Sequence, residues 1–174
     1  PDVPWRHLAA YGLFIGVGQF GLLYRAMNGH ISPGLASVVM QSQVLFTILL
    51  SVALEGEKVR AMQGVAVALA LAGIGVIAWH TDGSTTILGL GMALVAAFSW
   101  AAGNIVGRRS GKINTLSYVI WASMFALPPL FAMSLLMEGW GAIETALRRA
   151  DAVGWSGVLW QSVGTTLFGY AAWG

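Results

Sequence analysis

Apolar runs of roughly twenty residues, the length that spans a bilayer as helix, alternate along this chain with short polar clusters. The clusters are "NGHISP", "EGEKVR", "HTDGST" and "RRSGKINT". They divide the chain into six predicted spans: residues 8–27, 33–54, 62–79, 87–107, 116–137, and 153 to the end. Pro33 opens the second span, at a helix position where its missing N–H is harmless. The Pro128–Pro129 pair is expected to kink or interrupt the fifth. The loop "EGWGAIETALRRAD" is the longest, and its "WGAIETALRR" reads as a short helix, either in the membrane interface or solvated.

Charge orients the spans. Arg6, Lys58, Arg60, Arg108, Arg109 and Lys112 fall on one side, and Arg25, Arg148 and Arg149 on the other. The richer side is expected to be cytoplasmic, so the first span leads outward and the N-terminal end lies inside. Trp5, Trp79, Trp140 and Trp155 sit at span ends, where indoles favour the headgroup layer. Gly12 with Gly16, and Gly103 with Gly107, have the spacing at which small residues let helices approach in lipid.

The informative residues are polar ones inside the spans, because an unpaired amide in hydrocarbon costs several kcal/mol. They are Gln19 and Tyr24 in the first span, Ser37, Gln41, Gln43 and Thr47 in the second, and Gln63 in the third. Ser99, Trp100 and Asn104 follow in the fourth, Tyr118, Trp121 and Ser123 in the fifth, and Trp160, Gln161, Thr165, Thr166 and Tyr170 in the sixth. Gln41 and Gln43 stand about 200° apart around a helix, so they point to different faces. Gly34, Ser37 and Gln41 form one stripe, and Gln43, Thr47 and Ser51 another. One stripe is expected to pair with a neighbouring helix and the other to line a polar path. Arg25 lies near the outer end of its span. It either snorkels to the headgroups or faces inward to meet a substrate carboxylate.

Composition narrows the class. The 174 residues are 57% hydrophobic and 9% charged, with a net charge of +2 and no cysteine. Soluble domains carry about 25% charged residues. The small net charge and the absence of a Lys/Arg run exclude a nucleic-acid partner. "HTD" at His80–Asp82 lacks further ligands for a metal site, and neither a P-loop nor GxSxG is present. "GIGVIAWHTDG" follows no strand, so it is not a dinucleotide fingerprint, and no cofactor, metal or catalytic residue is assigned. Glu55 and Glu57 lie at the cytoplasmic end of the second span, and Asp82 and Glu138 near the outer surface, so no carboxylate lies deep in a span. The chain begins with Pro1 and stops within the apolar "SVGTTLFGYAAWG", which reads as a stretch of a longer chain.

The stretch "SPGLASVVMQSQVLFTILLSVALEGEKVRAMQGVAVALALAGIGVI" resembles the EamA-type transporters of the drug/metabolite transporter superfamily. The likeness rests on Pro33 to Ser37, Gln41, Gln43, Gly56, Glu57, Gln63 and Gly64. "AAFSWAAGNIVGRR" and "FGYAAWG" also match, and the branch most similar is the O-acetylserine/cysteine exporters. The resemblance implies an all-α membrane fold of ten helices in two inverted five-helix repeats. Residues 1–80 would be the last three helices of the first repeat and 81–174 the first three of the second. Phe20–Gly21 and Phe168–Gly169 then occupy equivalent places in oppositely directed spans.

The resemblance further implies an exporter of small amino-acid-like metabolites in a bacterial inner membrane, working by alternating access with protons as the coupling ion. The shortage of intramembrane carboxylates counts against proton coupling. The implied central cavity lies among the helices that carry Gln19, Gln41, Asn104 and Trp121. Neutral amides there would bind a substrate and still release it, and Gln41 is preferred to Gln43 for sharing a face with small residues. Arg25, Trp100, Tyr118 and Gln161 complete the candidates. A non-transporting scaffold or regulatory subunit is the alternative, with the polar residues acting only between helices. A membrane-embedded enzyme would need a converging nucleophile, acid or metal set, and only isolated hydroxyls are seen. A nucleotide-sugar would need more cavity cations, and a quaternary cation a buried glutamate beside Trp100, Tyr118 and Trp121. The oligomeric state is not legible.

Overall fold

A computed structural model describes residues 3–56, 58, 61–79, 85–111 and 113–173. Glu57, Arg60, His80, Asp82 and Lys112, used above for orientation, resemblance or metal chemistry, lie outside the described residues. The described chain is helical, with no strand among those residues. Its helices are α1 (Trp5–Met27), α2 (Pro33–Glu55), α3 (Ala61–Trp79), α4 (Ile87–Arg109), α5 (Thr115–Met137), α6 (Trp140–Arg149) and α7 (residues 152–173). By length and composition, α1, α2, α4 and α5 can each cross a membrane. These match four of the six expected spans. The continuous apolar segment of α3 is shorter, Ala61–Ile77.

Local chemistry sets the helix ends. Ser32 Oγ accepts from Leu35 N (3.3 Å) ahead of Pro33, Thr86 Oγ1 from Gly89 N (3.0 Å), and Asn114 Oδ1 from Ser117 N (2.9 Å). Each satisfies an N–H that the first helical turn leaves without a partner. Gly56 closes α2 with φ +69°, a left-handed conformation that glycine adopts without a Cβ penalty.

Two helices depart from simple expectation. α5 runs unbroken through Pro128 and Pro129, so the expected interruption does not occur. The two lost N–H donors do not end a helix in a setting that offers the backbone no water to bond instead. α2, expected as one helix, is two segments, Pro33–Met40 and Gln43–Glu55, joined by a turn at Gln41–Ser42. There Gln41 N donates to Val38 O (3.1 Å), Ser42 N to Val39 O (3.0 Å) and Val44 N to Gln41 O (3.2 Å). Ser42 Oγ adds a bond to Val39 O at 2.7 Å. Bonds spaced by three residues tighten the helix into a 3₁₀-like turn. The turn falls on the Gln-x-Gln motif.

α1 has the opposite irregularity. Its Leu13–Gly21 stretch is π-helical, and so is Trp160–Phe168 of α7. Such widened turns are rare and concentrate at functional sites.

Packing centres on α4, which lies against both α1 and α2, while α5 lies on the other side of α1. Small residues make this possible. Ala93, Ala96, Ala97 and Ala101 of α4 are fully buried. A Cβ on Gly12 would overlap the carbonyl of Ala122, one on Gly16 would overlap Ala126 Cβ, and one on Gly103 would overlap Ile15. Close backbone approach replaces the hydrophobic force that lipid does not supply.

Candidate functional site

Where α1, α2, α4 and α5 converge at the end that carries Arg108, a cavity of about 530 Å³ opens. Tyr11 of α1, Thr47 of α2, Asn104 and Arg108 of α4, and Tyr118 of α5 line it, with Gly107, Ile113, Thr115 and Val119. Its size falls within the roughly 300–1,000 Å³ of small-molecule sites.

Tyr118, Thr47 and Arg108 are each positioned by a neighbour. Tyr118 is buried, its ring stacked edge-on to Tyr11 with centroids 4.9 Å apart. Ser110 Oγ lies 3.2 Å from the Tyr118 hydroxyl and 3.3 Å from His7 Nδ1, and that hydroxyl also donates to His7 O at 3.4 Å. Thr47 Oγ1 donates to Gln43 O at 2.8 Å. The Arg108 guanidinium is held by Ser51 Oγ (2.7 Å) and Glu55 Oε2 (3.1 Å). Arg109 donates to Leu54 O at 3.1 Å and lies 3.8 Å from Glu55 Oε1. The half-buried Asn104 makes no side-chain hydrogen bond among the described residues, so its amide is available to a ligand. The cavity therefore offers a free amide, hydroxyl-bearing residues from three helices (Tyr11, Thr47, Thr115 and Tyr118) and an arginine already paired with Glu55. Among the described residues there is no cluster of His, Cys, Asp or Glu suited to a metal.

Of the sequence candidates, the fold brings Asn104 and Tyr118 together here. Gln41 instead lines a smaller, apolar crevice of about 200 Å³ between α2 and α3, with Ser42, Gly73 and Ile77. Gln43 is half-buried in the first turn after the α2 break. Gln19 is buried where the π-helical stretch packs against α4 and α5. Trp100 packs on the Met40, Ala96 and Ala97 cluster, and Trp121 stacks edge-on to Trp5 at 5.6 Å. Arg25 lines a separate groove at the opposite end, and Gln161 is exposed on α7. Tyr11 and Arg108 were not among the sequence candidates. Tyr11 lies one helical turn after His7, and that spacing was the available signal. In sequence, Arg108 served orientation and stood within the family-like motif "AAFSWAAGNIVGRR", without a site role.

The comparisons with known proteins agree with this helical membrane architecture. Residues 1–79 match the model of the EamA-like transporter family. The chain is 34% identical over 180 aligned positions to the "Probable amino-acid metabolite efflux pump" of Escherichia coli (strain K12), covering all of this chain and 60% of the relative. The protein of the same name in Salmonella typhimurium is also 34% identical over the same coverage. The "Uncharacterized inner membrane transporter YedA" of Escherichia coli (strain K12) is 31% identical over 78% of this chain and 48% of its own length. The chain thus spans 60% of the length of the efflux-pump relatives. No solved structure matches it significantly. Residues 1–79, the first three helices, thus belong to the EamA-like transporter family, and the whole chain is similar to the efflux-pump relatives.

Proposed function

We propose that the protein is a secondary transporter, not an enzyme, and that it exports small amino-acid-like metabolites across a bacterial inner membrane by alternating access. The observation that carries this reading is the cavity at the Arg108 end, where four helices converge on neutral hydrogen-bonding groups. Asn104 takes the polar head of the substrate, with Tyr118 and Thr47 beside it. A neutral lining suits an exporter, because the substrate must leave as readily as it enters. Gln41 acts at the α2 turn, where a tightened segment can relax as the cavity changes its access, and Gln19 does the same in the widened stretch of α1.

In this reading the Arg108 end is cytoplasmic, residues 1–80 and 81–174 belong to two inverted repeats, and protons drive export. Support for the repeats comes from the nine-residue π-helical stretches of α1 and α7, which end at Gly21 and Phe168. These are the neighbourhoods that the Phe20–Gly21 and Phe168–Gly169 pairing aligns. The end of the family match at residue 79 supports the boundary between them.

The test uses the full-length protein in proteoliposomes, measuring labelled O-acetylserine moved with and without an imposed pH gradient. Gradient-stimulated movement that falls at least tenfold in Asn104→Ala supports the reading. Movement no greater than in empty liposomes, with folded protein, removes it and returns the scaffold reading.

A further inference from the structure

At the opposite end from the cavity, α1 and α5 diverge around a groove of about 690 Å³. One wall carries Arg25 and Asn28, and the other Ser134 and Glu138, over an apolar floor that includes Leu130 and Met133. Arg25 is half-buried, and neither it nor Glu138 forms an ion pair among the described residues. Opposite charges thus line one groove without neutralising each other.

The Glu138 position is electrostatically unusual. It caps the C-terminus of α5, where the helix already presents its negative end, and Ser134 Oγ holds its carboxylate at 3.0 Å. A carboxylate is unfavourable at such a terminus, and a bound cation offsets both the side chain and the helix end. Arg25, on the facing wall, presents a planar guanidinium suited to two-point contact with a carboxylate. Gly21 lets α5 approach, since a Cβ there would already sit 3.3 Å from Met133 Cε. Space, paired charges and an apolar floor describe a receptor for a small dipolar ion.

We propose that this groove is a second binding site for a zwitterionic α-amino acid, with Arg25 on its carboxylate, Glu138 on its ammonium and Leu130 and Met133 under its side chain. The assignment to amino acids rests on the exporter reading above, in which the groove receives substrate as it leaves. The headgroup of phosphatidylethanolamine shares this chemistry, an anion beside an ammonium, so the test separates the two sources.

The experiment uses the full-length protein carrying Asn104→Ala, which removes the contribution of the other cavity, in phosphatidylglycerol nanodiscs. Binding of labelled O-acetyl-L-serine is competed by its methyl ester, which lacks the carboxylate, and by its N-acetyl derivative, which lacks the ammonium. The expected result is at least a tenfold preference for the zwitterion over both. Arg25→Gln abolishes only the preference over the ester, and Glu138→Gln only the preference over the N-acetyl compound. The exchanged pair R25E/E138R recovers both preferences, which controls for folding. Both preferences surviving in both single variants overturns the proposal. Unchanged preferences with co-purified phosphatidylethanolamine lost from both variants, read by mass spectrometry, also overturn it and make the groove a headgroup site. If wild-type proteoliposomes still move O-acetylserine in either case, the groove alone is lost and the exporter reading stands.

Discussion

Arg108 of α4 reaches Glu55 of α2 at 3.1 Å, and the same guanidinium donates to Ser51 Oγ at 2.7 Å. With Arg109 on Leu54 O, this closes α2 against α4 at one end of the cavity. The Arg108 side chain is 48% exposed, so the pair contributes little to stability, on the order of 0.2–1 kcal/mol. Its role is geometric: it holds the cavity rim together.

Glu55→Gln should therefore loosen the rim with a stability loss below about 1 kcal/mol. The sequence contains no cysteine, so Thr47→Cys gives a single label site in this region. Thiol labelling at that site should run severalfold faster with Glu55→Gln than without it. Equal rates would mean that the ion pair does not control access.

Tyr118 separates packing from hydrogen bonding. Tyr118→Phe loses the contacts with Ser110 and His7 O and should cost about 1 kcal/mol. Tyr118→Ala also empties the space packed against Leu8 and Ala122, and should cost about 3–5 kcal/mol. Unfolding in mild detergent, followed by the loss of native fluorescence, gives both numbers. A Tyr118→Phe loss as large as that of Tyr118→Ala would contradict this division.

Two glycines should behave in opposite ways. Gly12→Val drives a side chain into the Ala122 backbone, which cannot yield, and should cost at least about 2 kcal/mol. Gly91 has open space around the position of an added Cβ, so Gly91→Ala should be neutral or stabilising by up to about 1 kcal/mol. Thermal unfolding midpoints of the two variants check the contrast.

The α2 turn makes a prediction about Ser42. Removing its bond to Val39 O in Ser42→Ala should let the segment return toward regular helix. Val44 N would then exchange its bond to Gln41 O for a better-aligned one to Met40 O, and its hydrogen exchange should slow. Unchanged exchange would assign the turn to packing around Val39 and Met40 instead.

Much of the fold was legible because its causes are local. Pro33 marks the start of α2 by its own chemistry, and apolar length alone marks α1, α2, α4 and α5; the caps at Ser32, Asn114 and Gly56 emerged with the structure. Face assignments were not legible. In a soluble helix the apolar stripe points to the core, but here lipid and helix neighbours are both apolar, so the pattern carries no direction. Gln41 shares a stripe with Gly34 and Ser37, yet it lies in the α2–α3 crevice, because α3 packs against that part of α2, which the sequence pattern does not specify. The alanines of α4 gave no sign that this helix would be the hub. Asn104, Tyr118, Tyr11 and Thr47 meet only because α1 packs between α4 and α5 while α2 closes on α4. The sequence by itself determined the four long apolar helices, because apolar length is a local property, but not the break within α2. The tertiary structure decided which polar groups face one another, because that depends on close approach between helices far apart in the chain.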